Sequence, residues 1–368
     1  MMGRLTVALG LALGLASGLE AQASSRGRLV ARIDSAVTAA MAANHNVGVS
    51  VGVMRGGDLL VAKGFGMAEL EHQVPATAET VYRIGSITKQ FTATAILRLV
   101  EQGKIALDDE ITRFLPDYHT QGKHVTIHHL LTHTSGIKSY TSLGPRFWNE
   151  SSRLDLDDQQ MIALFQDEPF DFEPGAKYAY NNSAYYLLGA IIGKVTGTPY
   201  PRYLERELLA PLGLEATSYC DNDRIIPHRA EGYEVRGDTV FNDGPISMNT
   251  PGAAGAMCST VLDLLAWQRA SNEARLISPA SRDRMRTVQV ETGSSGGGYG
   301  YGLGIRPAGG HRQIAHSGGI NGFSSNLAYF PDDDLTIVVL TNNGGGRASQ
   351  ITAEIAKLIL DDRQASGQ

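Results

Sequence analysis

Ser86 and Lys89 are three residues apart at the point where the sequence predicts the start of an apolar helix. Positions i and i+3 share one face of a helix, so the Lys89 amine can reach the Ser86 hydroxyl. A serine hydroxyl attacks well only when a neighbouring group takes its proton, and a lysine does this where apolar surroundings keep its amine neutral. The pair is therefore a candidate self-activated nucleophile. The N-terminal end of the helix would also favour an oxyanion that develops there.

The spacing of this pair also has a plainer explanation, in which Ser86 caps the helix and Lys89 faces solvent. A chain of 368 residues contains about one or two Ser-x-x-Lys pairs by chance. The helix itself is well supported, because apolar residues recur at helical spacing from Phe91 to Leu99 and Gly103 ends the pattern. The choice between the two explanations therefore depends on the rest of the chain.

A second group of polar residues, Tyr180 and Asn182, precedes an apolar helix that the sequence ends at Gly197. A tyrosine at a helix mouth can act as a general acid or base if a nearby ammonium stabilises its phenolate. The amide of Asn182 can bind a substrate. In the alternative interpretation, Asn182 or Ser183 is only a helix cap and the tyrosines fill the core.

The third group is His316-Ser317-Gly318-Gly319, at the end of a predicted strand. Two glycines would let a substrate backbone approach closely, and the Gly319 N–H could point at a carbonyl oxygen. A strand end followed by a turn is the alternative.

In this order, the three groups resemble the family of serine β-lactamases, penicillin-binding D,D-peptidases and esterases, and in particular its class C-like branch. Tyr180-x-Asn182 matches the middle motif of that branch, and His316-Ser317-Gly318 stands where related enzymes have Lys-Thr-Gly. The likeness extends from about Val47 to Leu360 and includes two further segments, Leu130 to Gly136 and Ser259 to Trp267.

The resemblance implies an α/β (α+β) chain with a β-lactamase/transpeptidase-like fold and covalent catalysis without a cofactor. Ser86 would attack a carbonyl with Lys89 and Tyr180 as proton acceptors, and the N–H groups of Ser86 and Gly319 would hold the oxyanion. The order in which Lys89 and Tyr180 take the proton stays open, as does transfer of the acyl group to an amine. A non-hydrolytic penicillin-binding sensor or scaffold is the alternative outside the enzymes.

The histidine at position 316 bears on the substrate, which we expect to be a small molecule or a peptide. β-Lactams and D-alanyl-D-alanine peptides carry a carboxylate, and a mostly neutral histidine would bind it less well than a lysine. The resemblance implies esterases or peptidases for D-amino-acid substrates, with class C-like β-lactamase or D,D-carboxypeptidase activity as the alternative. Arg347, before the final helix, could restore a positive charge.

The elements that must position these groups are strands at both ends of the chain and helices in the middle. A helix over about 28–43 precedes a hairpin, and strands over 313–316, 323–330 and 335–341 precede a final amphipathic helix. We expect one antiparallel sheet, flanked by the terminal helices. The sequence thus predicts a sheet lobe (about 27–80 and 290–362) and a helical lobe (about 81–289) within one domain, 24–368.

Residues 1–23 are typical of a signal peptide, with Arg4, an apolar run from Leu5 to Leu19 and the cleavage pattern Ala21-Gln22-Ala23. The run falls short of the roughly 20 residues that span a bilayer, and we expect no membrane span in the mature chain. Export to the periplasm or the medium would allow a disulfide between Cys220 and Cys258, with two separate buried thiols as the alternative.

Charge and two incomplete motifs argue against other classes of protein. The net charge is −6 and the basic residues are scattered, so neither nucleic acid nor an anionic membrane is indicated as a partner. The pattern Gly293-x-Ser295-x-Gly297 matches the nucleophile elbow of other hydrolases but lacks the strand before and the helix after. His129 and His133 have the spacing of half a zinc motif without its glutamate or a third ligand, so we expect no metal.

Overall fold

A computed structural model describes residues 26–293 and 296–366. The predicted signal peptide and Ser295 lie outside these ranges. Within them, no helix is both long enough and apolar enough to cross a bilayer.

The centre of the fold is a nine-stranded antiparallel sheet, with two small three-stranded sheets outside it. The strands are β1 (Gly48–Arg55), β2 (Asp58–Glu69), β3 (Val74–Pro75), β4 (Tyr82–Arg83), β5 (Ser218–Tyr219), β6 (Tyr233–Arg236), β7 (Thr239–Asn242), β8 (Met257–Ser259), β9 (Val290–Glu291), β10 (Gly298–Tyr299), β11 (Gly304–Ala308), β12 (His311–Ile320), β13 (Phe323–Phe330), β14 (Leu335–Thr341) and β15 (Asn343–Gly344). The order in the large sheet is β3-β2-β1-β14-β13-β12-β11-β10-β9, and the small sheets are β15-β6-β7 and β4-β8-β5.

Helices come from both termini and from the middle of the chain. They are α1 (26–44), α2 (Thr88–Glu101), α3 (Ile127–Leu131), α4 (Pro145–Trp148), α5 (Asp158–Ala163), α6 (Asn182–Thr196), α7 (Tyr200–Leu204), α8 (Gly252–Gly255), α9 (Val261–Asn272), α10 (Pro279–Met285) and α11 (Ala348–Ser366). A 3₁₀ turn at Gly85–Ile87 leads directly into α2.

Alternation along the central strands gives the sheet two apolar faces. Val49, Val51 and Val53 of β1 pack with α1 and α11, because alternate residues of a strand point to the same side. On β14, Val338 and Leu340 point to the opposite side and join the larger core of the helical middle segment. The antiparallel sheet with packed helices, predicted from the sequence, is therefore confirmed.

The strand that carries His316 is longer than predicted. β12 continues to Ile320 and pairs with β13 as far as Ile320 opposite Phe323. Its other neighbour, β11, begins at Gly304 and pairs with β12 only from His311 to Ala315. Residues 316–320 therefore lie inside a strand that has one free edge, and the prediction of a strand end at this point was wrong.

Cys220 and Cys258 form a disulfide, with Cα atoms 5.2 Å apart. Cys258 belongs to β8, which pairs with β4 just before Ser86. The predicted pairing is confirmed, and the bond fastens the small sheet that leads into α2.

Candidate active site

Two glycines let the free edge of β12 approach the turn that carries Ser86. Gly85 has a φ of +49°, and a Cβ there would lie 2.9 Å from the Gly319 nitrogen. A Cβ on Gly318 would lie 2.0 Å from the carbonyl oxygen of Ile84. Side chains at either position would push the two segments apart, so glycine is required at both.

Lys89 is completely buried, and its Nζ atom contacts three oxygens. The nitrogen lies 2.8 Å from Asn182 Oδ1, 2.8 Å from the Ala254 carbonyl oxygen and 3.2 Å from Ser86 Oγ. Burial lowers the pKa of the Lys89 amine well below its ordinary value. In the described part of the chain, Lys89 forms no ion pair that would oppose this shift.

A neutral amine has two N–H groups and one lone pair, and the surroundings of Lys89 match that pattern. Asn182 Oδ1 and the Ala254 carbonyl are acceptors, so they take the two hydrogens. The lone pair is then left for the Ser86 hydroxyl. This arrangement suits a base that removes the proton from Ser86 Oγ.

Tyr180 contacts both Ser86 and Lys89. Lys89 Nζ is 4.7 Å from the centre of its ring. Although the side chain as a whole is 41% exposed, burial of its hydroxyl raises the pKa of Tyr180, and the interaction with the Ser86 hydroxyl opposes that shift only in part. Tyr180 is therefore a phenol at neutral pH, able to pass on a proton.

The side chain of Asn182 is free to bind Lys89, because the neighbouring residue, Asn181, caps the helix. The side chain of Asn181 accepts from the Ala184 N–H at 2.9 Å and is the N-cap of α6. Asn182 is the first residue of α6, and its Nδ2 lies 3.3 Å from Thr141 Oγ1. The interpretation of Asn182 or Ser183 as the cap was wrong by one or two residues.

The backbone of β12 presents Gly319 to Ser86. Ile320 and Phe323 close a two-residue turn, and the pairs of an antiparallel ladder alternate in hydrogen bonding. The Gly319 N–H then points away from β13, toward the free edge. The N–H groups at the start of a helical segment also lack intrahelical acceptors, so the Ser86 N–H is a second candidate donor beside that of Gly319.

His316 is buried and has both ring nitrogens engaged. Nδ1 lies 2.6 Å from the Ser317 carbonyl oxygen, and Nε2 lies 3.0 Å from the Tyr299 hydroxyl. Burial, with the nearby Lys89 as a second cause, lowers the pKa of His316 to about 3. The neutral ring therefore donates from Nδ1 and accepts the Tyr299 proton at Nε2. It carries no positive charge at neutral pH.

A cavity of about 220 Å³ opens beside Ser86. The described residues that line it include no charged side chain. They are Gly85, Ser86, Tyr140, Thr141, Phe147, Trp148, Asn182, Ile246, Thr250, Pro251, Ala254, Gly255, Gly319, Ile320 and Asn321. A second groove of about 640 Å³, lined in part by Tyr180, His316 and Ser317, lies next to it.

Arg347 does not line either of these spaces in the described part of the chain. It is exposed and directly precedes α11 with a φ of +51°. Its contact with a substrate therefore stays a prediction without support from the geometry.

His129 and His133 do not face each other as metal ligands. His129 Nδ1 accepts from the Thr126 N–H at the start of α3, and His133 Nδ1 accepts from the Asn181 N–H. The described residues contain no group of three or more His, Cys, Asp or Glu side chains that could hold a metal ion.

Two contributors to the site escaped the sequence reasoning. Ala254 acts through its carbonyl oxygen, which no side-chain pattern reveals. Tyr299 holds His316 and stands in the run Gly298-Tyr299-Gly300-Tyr301-Gly302. A tyrosine between glycines is a recognisable signal, but its partner lies 17 residues away.

Comparisons with known proteins confirm the β-lactamase/transpeptidase-like fold predicted from the sequence. The sequence profile of the family described as Beta-lactamase matches residues 33–360. A solved structure of the octameric penicillin-binding protein homologue from Pyrococcus abyssi is 32% identical, with a TM-score of 0.81, over 90% of this chain and 77% of that chain. A D-stereospecific amidohydrolase from Streptomyces sp. is 30% identical, with a TM-score of 0.78, over 89% and 97%.

Among curated proteins, Protein flp of Staphylococcus aureus (strain MRSA252) is 28% identical over 333 residues. The match covers 88% of this chain and 64% of that protein. The chain thus spans just under two thirds of the length of Protein flp.

Proposed function

The chain belongs to the Beta-lactamase family, and from that premise we propose that it is a serine hydrolase that cleaves a carboxylic ester or amide through an acyl-enzyme on Ser86. One observation carries the proposal. Lys89 is buried without a counter-charge in the described part of the chain, and its Nζ atom lies within reach of two acceptors, Asn182 Oδ1 and the Ala254 carbonyl oxygen, and of Ser86 Oγ. A neutral amine that donates to the two acceptors has its lone pair left for the Ser86 hydroxyl.

In the acylation step, the Ser86 Oγ–H proton passes to Lys89 Nζ while Oγ bonds to the substrate carbonyl carbon. The carbonyl electron pair moves onto oxygen, where the N–H groups of Ser86 and Gly319 hold it. Collapse of this intermediate breaks the bond to the leaving group, which receives a proton from the Tyr180 hydroxyl. Lys89 returns its proton to the Tyr180 oxygen, and both groups are restored.

In the deacylation step, water attacks the same carbonyl carbon and gives its proton to the same pair of groups. The bond to Ser86 Oγ breaks, Oγ recovers a proton, and the acid leaves.

Because the pKa of Lys89 is lowered and that of Tyr180 is raised, Lys89 is the first proton acceptor and Tyr180 is the proton donor.

The substrate class follows from the absence of charge around Ser86. The described lining of the cavity is uncharged, and His316 is neutral with both nitrogens engaged. A substrate carboxylate would find no cation among these residues, and Arg306, a cation that lines the adjacent groove, already donates to Gln313. Small esters and amides of D-amino acids therefore fit better than β-lactams or D-alanyl-D-alanine peptides. The likeness to a D-stereospecific amidohydrolase supports this preference.

A parallel kinetic screen tests the proposal. The substrates are p-nitrophenyl acetate and butyrate, a D-amino-acid amide, nitrocefin and a D-alanyl-D-alanine peptide. We expect ester or amide turnover with nearly inert nitrocefin, and loss of both turnover and fluorophosphonate labelling in Ser86→Ala. Undiminished labelling of Ser86→Ala would refute the assignment of the nucleophile.

The same experiment separates the alternatives. Fast nitrocefin turnover would favour a class C-like β-lactamase, and fast release of D-alanine would favour a D,D-carboxypeptidase. A stable adduct without release, seen by single-turnover mass spectrometry, would favour a sensor or scaffold. We also propose that the protein works outside the cytoplasm, which the buried Cys220–Cys258 disulfide supports.

A further inference from the structure

His133 is a buried residue that touches the catalytic segment from three directions. It follows the short helix α3 and is completely shielded from solvent. Its carbonyl oxygen accepts from the Ala179 N–H at 2.9 Å, and its Nδ1 accepts from the Asn181 N–H at 3.0 Å. These two bonds flank Tyr180 on both sides along the chain.

The imidazole of His133 also packs against Tyr180 itself. The two ring centres are 4.4 Å apart. The ring centre of Tyr299, the partner of His316, lies 4.7 Å from that of His133. One buried ring therefore contacts the proton donor of the site and the tyrosine that engages the third motif. Such packing restricts the rotation of both phenols.

The backbone of His133 is in the left-handed region, with a φ of +59°. Few residues other than glycine adopt this conformation, although histidine, asparagine and aspartate do so more often than most. The conformation directs the carbonyl oxygen and the side chain of one residue to the same neighbouring segment.

The charge of His133 is fixed by its surroundings. Burial lowers its pKa well below the ordinary value, and Lys89 and His316 act in the same direction. The ring is therefore neutral, and because Nδ1 accepts, the proton is on Nε2. The neutral ring therefore accepts a hydrogen bond from the segment of Tyr180 through Nδ1 without adding a cation beside Lys89. Its Nε2 has no hydrogen-bond partner among the described residues.

We infer that His133 is a positioning residue for the Ser86 reaction, which fixes the Tyr180 hydroxyl at Ser86 and Lys89 through its Nδ1 acceptor and its ring. This inference rests on the proposed function. Displacement of a catalytic group by about 1 Å is enough to slow a reaction roughly 100-fold, so the effect belongs to kcat more than to KM.

Two substitutions separate the acceptor from the ring. His133→Phe keeps an aromatic ring but leaves the buried Asn181 N–H without an acceptor, whereas His133→Asn keeps an acceptor oxygen and tolerates the left-handed backbone. We expect His133→Phe to lower kcat for p-nitrophenyl butyrate about 10–100-fold with a nearly unchanged KM. His133→Asn should recover a substantial part of that loss.

His129→Gln is the matched control from the same segment. His129 occupies the third position of α3 and accepts from the Thr126 N–H, a place where glutamine is a favoured capping residue. It has no contact with Tyr180 among the ring contacts of the described residues. We expect wild-type kcat from this variant.

All rates are expressed per Ser86 site labelled by a fluorophosphonate, so a loss of folded protein does not imitate a loss of catalysis. If wild-type Ser86 is not labelled, the proposed function fails. If labelling is normal and His133→Phe keeps a kcat within about threefold of wild type, only the role of His133 fails. Equal losses in His133→Phe and His133→Asn would also overturn it, and if His133→Phe does not fold, His133→Ala takes its place in this comparison.

Discussion

The replacement Gly318→Ala perturbs the contact that brings β12 to the nucleophile. An added Cβ would lie 2.0 Å from the Ile84 carbonyl oxygen and 2.3 Å from Ser325 Oγ. The serine side chain can rotate, but the carbonyl belongs to the backbone directly before the Gly85–Ile87 turn. Since real contacts of this kind do not fall below 3.0 Å, β12 and Ile84 must separate by about 1 Å.

The expected loss follows from that displacement. Overpacking of this size costs about 1–3 kcal/mol of stability. A 1 Å shift of the reacting groups costs about 10²-fold in rate, and removal of one oxyanion donor costs about 10²–10³-fold. Because Gly319 N–H and Ser86 lie on the two sides of the gap, we expect kcat to fall about 100-fold together with a lower melting temperature.

Gly319→Ala is the control for folding. A Cβ at that position has no heavy atom within 4 Å, so the melting temperature should match that of the wild type. The assay is turnover of p-nitrophenyl butyrate per labelled Ser86, alongside thermal unfolding followed by circular dichroism. Wild-type values of both kcat and melting temperature in Gly318→Ala would refute the close approach of β12 to Ile84.

Three other predictions concern the disulfide and His316. Replacing both Cys220 and Cys258 by alanine removes a cross-link between residues 38 positions apart, and the free energy of unfolding in urea should fall by about 4 kcal/mol; a loss below about 1 kcal/mol would contradict this estimate. Because the pKa of His316 is lowered from 6.5 to about 3, the unfolded chain binds more protons between these values, and stability should be lost as the pH falls below about 6.5. The urea midpoint should decline less steeply in His316→Gln, and equal slopes would show that His316 is not the group responsible. His316→Lys should raise kcat/KM for nitrocefin relative to p-nitrophenyl butyrate by about tenfold or more, since a charge-assisted bond contributes about 1.5–3 kcal/mol; an unchanged ratio would exclude a carboxylate subsite at this position.

Elements defined by local pattern could be predicted closely from the sequence. The strands Phe323–Phe330 and Leu335–Thr341 have the predicted bounds, because short runs rich in apolar residues and the Pro331–Asp333 turn between them are local signals. The end of α6 at Gly197 was also predicted, since this glycine adopts the left-handed conformation that closes a helix.

Features that depend on distant partners could not be predicted in the same way. The free edge of β12 exists because β11 begins only at Gly304, opposite Ala315, and nothing in residues 316–320 themselves indicates where β11 begins. The separation of roles between Asn181 and Asn182 depends on Lys89, which lies 93 residues before Asn182. The lone pair of Lys89 is oriented by the Ala254 carbonyl oxygen, 165 residues away, and any residue type can supply such an oxygen.

The neutral state of His316 links specificity to catalysis. Lys89 contributes to the lowered pKa of His316 and of His133, so these three buried bases compete for a single positive charge. Among the described residues, none of the three forms an ion pair with a carboxylate that would stabilise a second charge. The proton that leaves Ser86 is therefore the charge that the site accommodates, on Lys89 beside the developing oxyanion. A permanent cation at position 316 would bind a substrate carboxylate, but it would also make Lys89 harder to protonate. A gain in β-lactam recognition through His316→Lys should therefore be accompanied by slower turnover of uncharged esters.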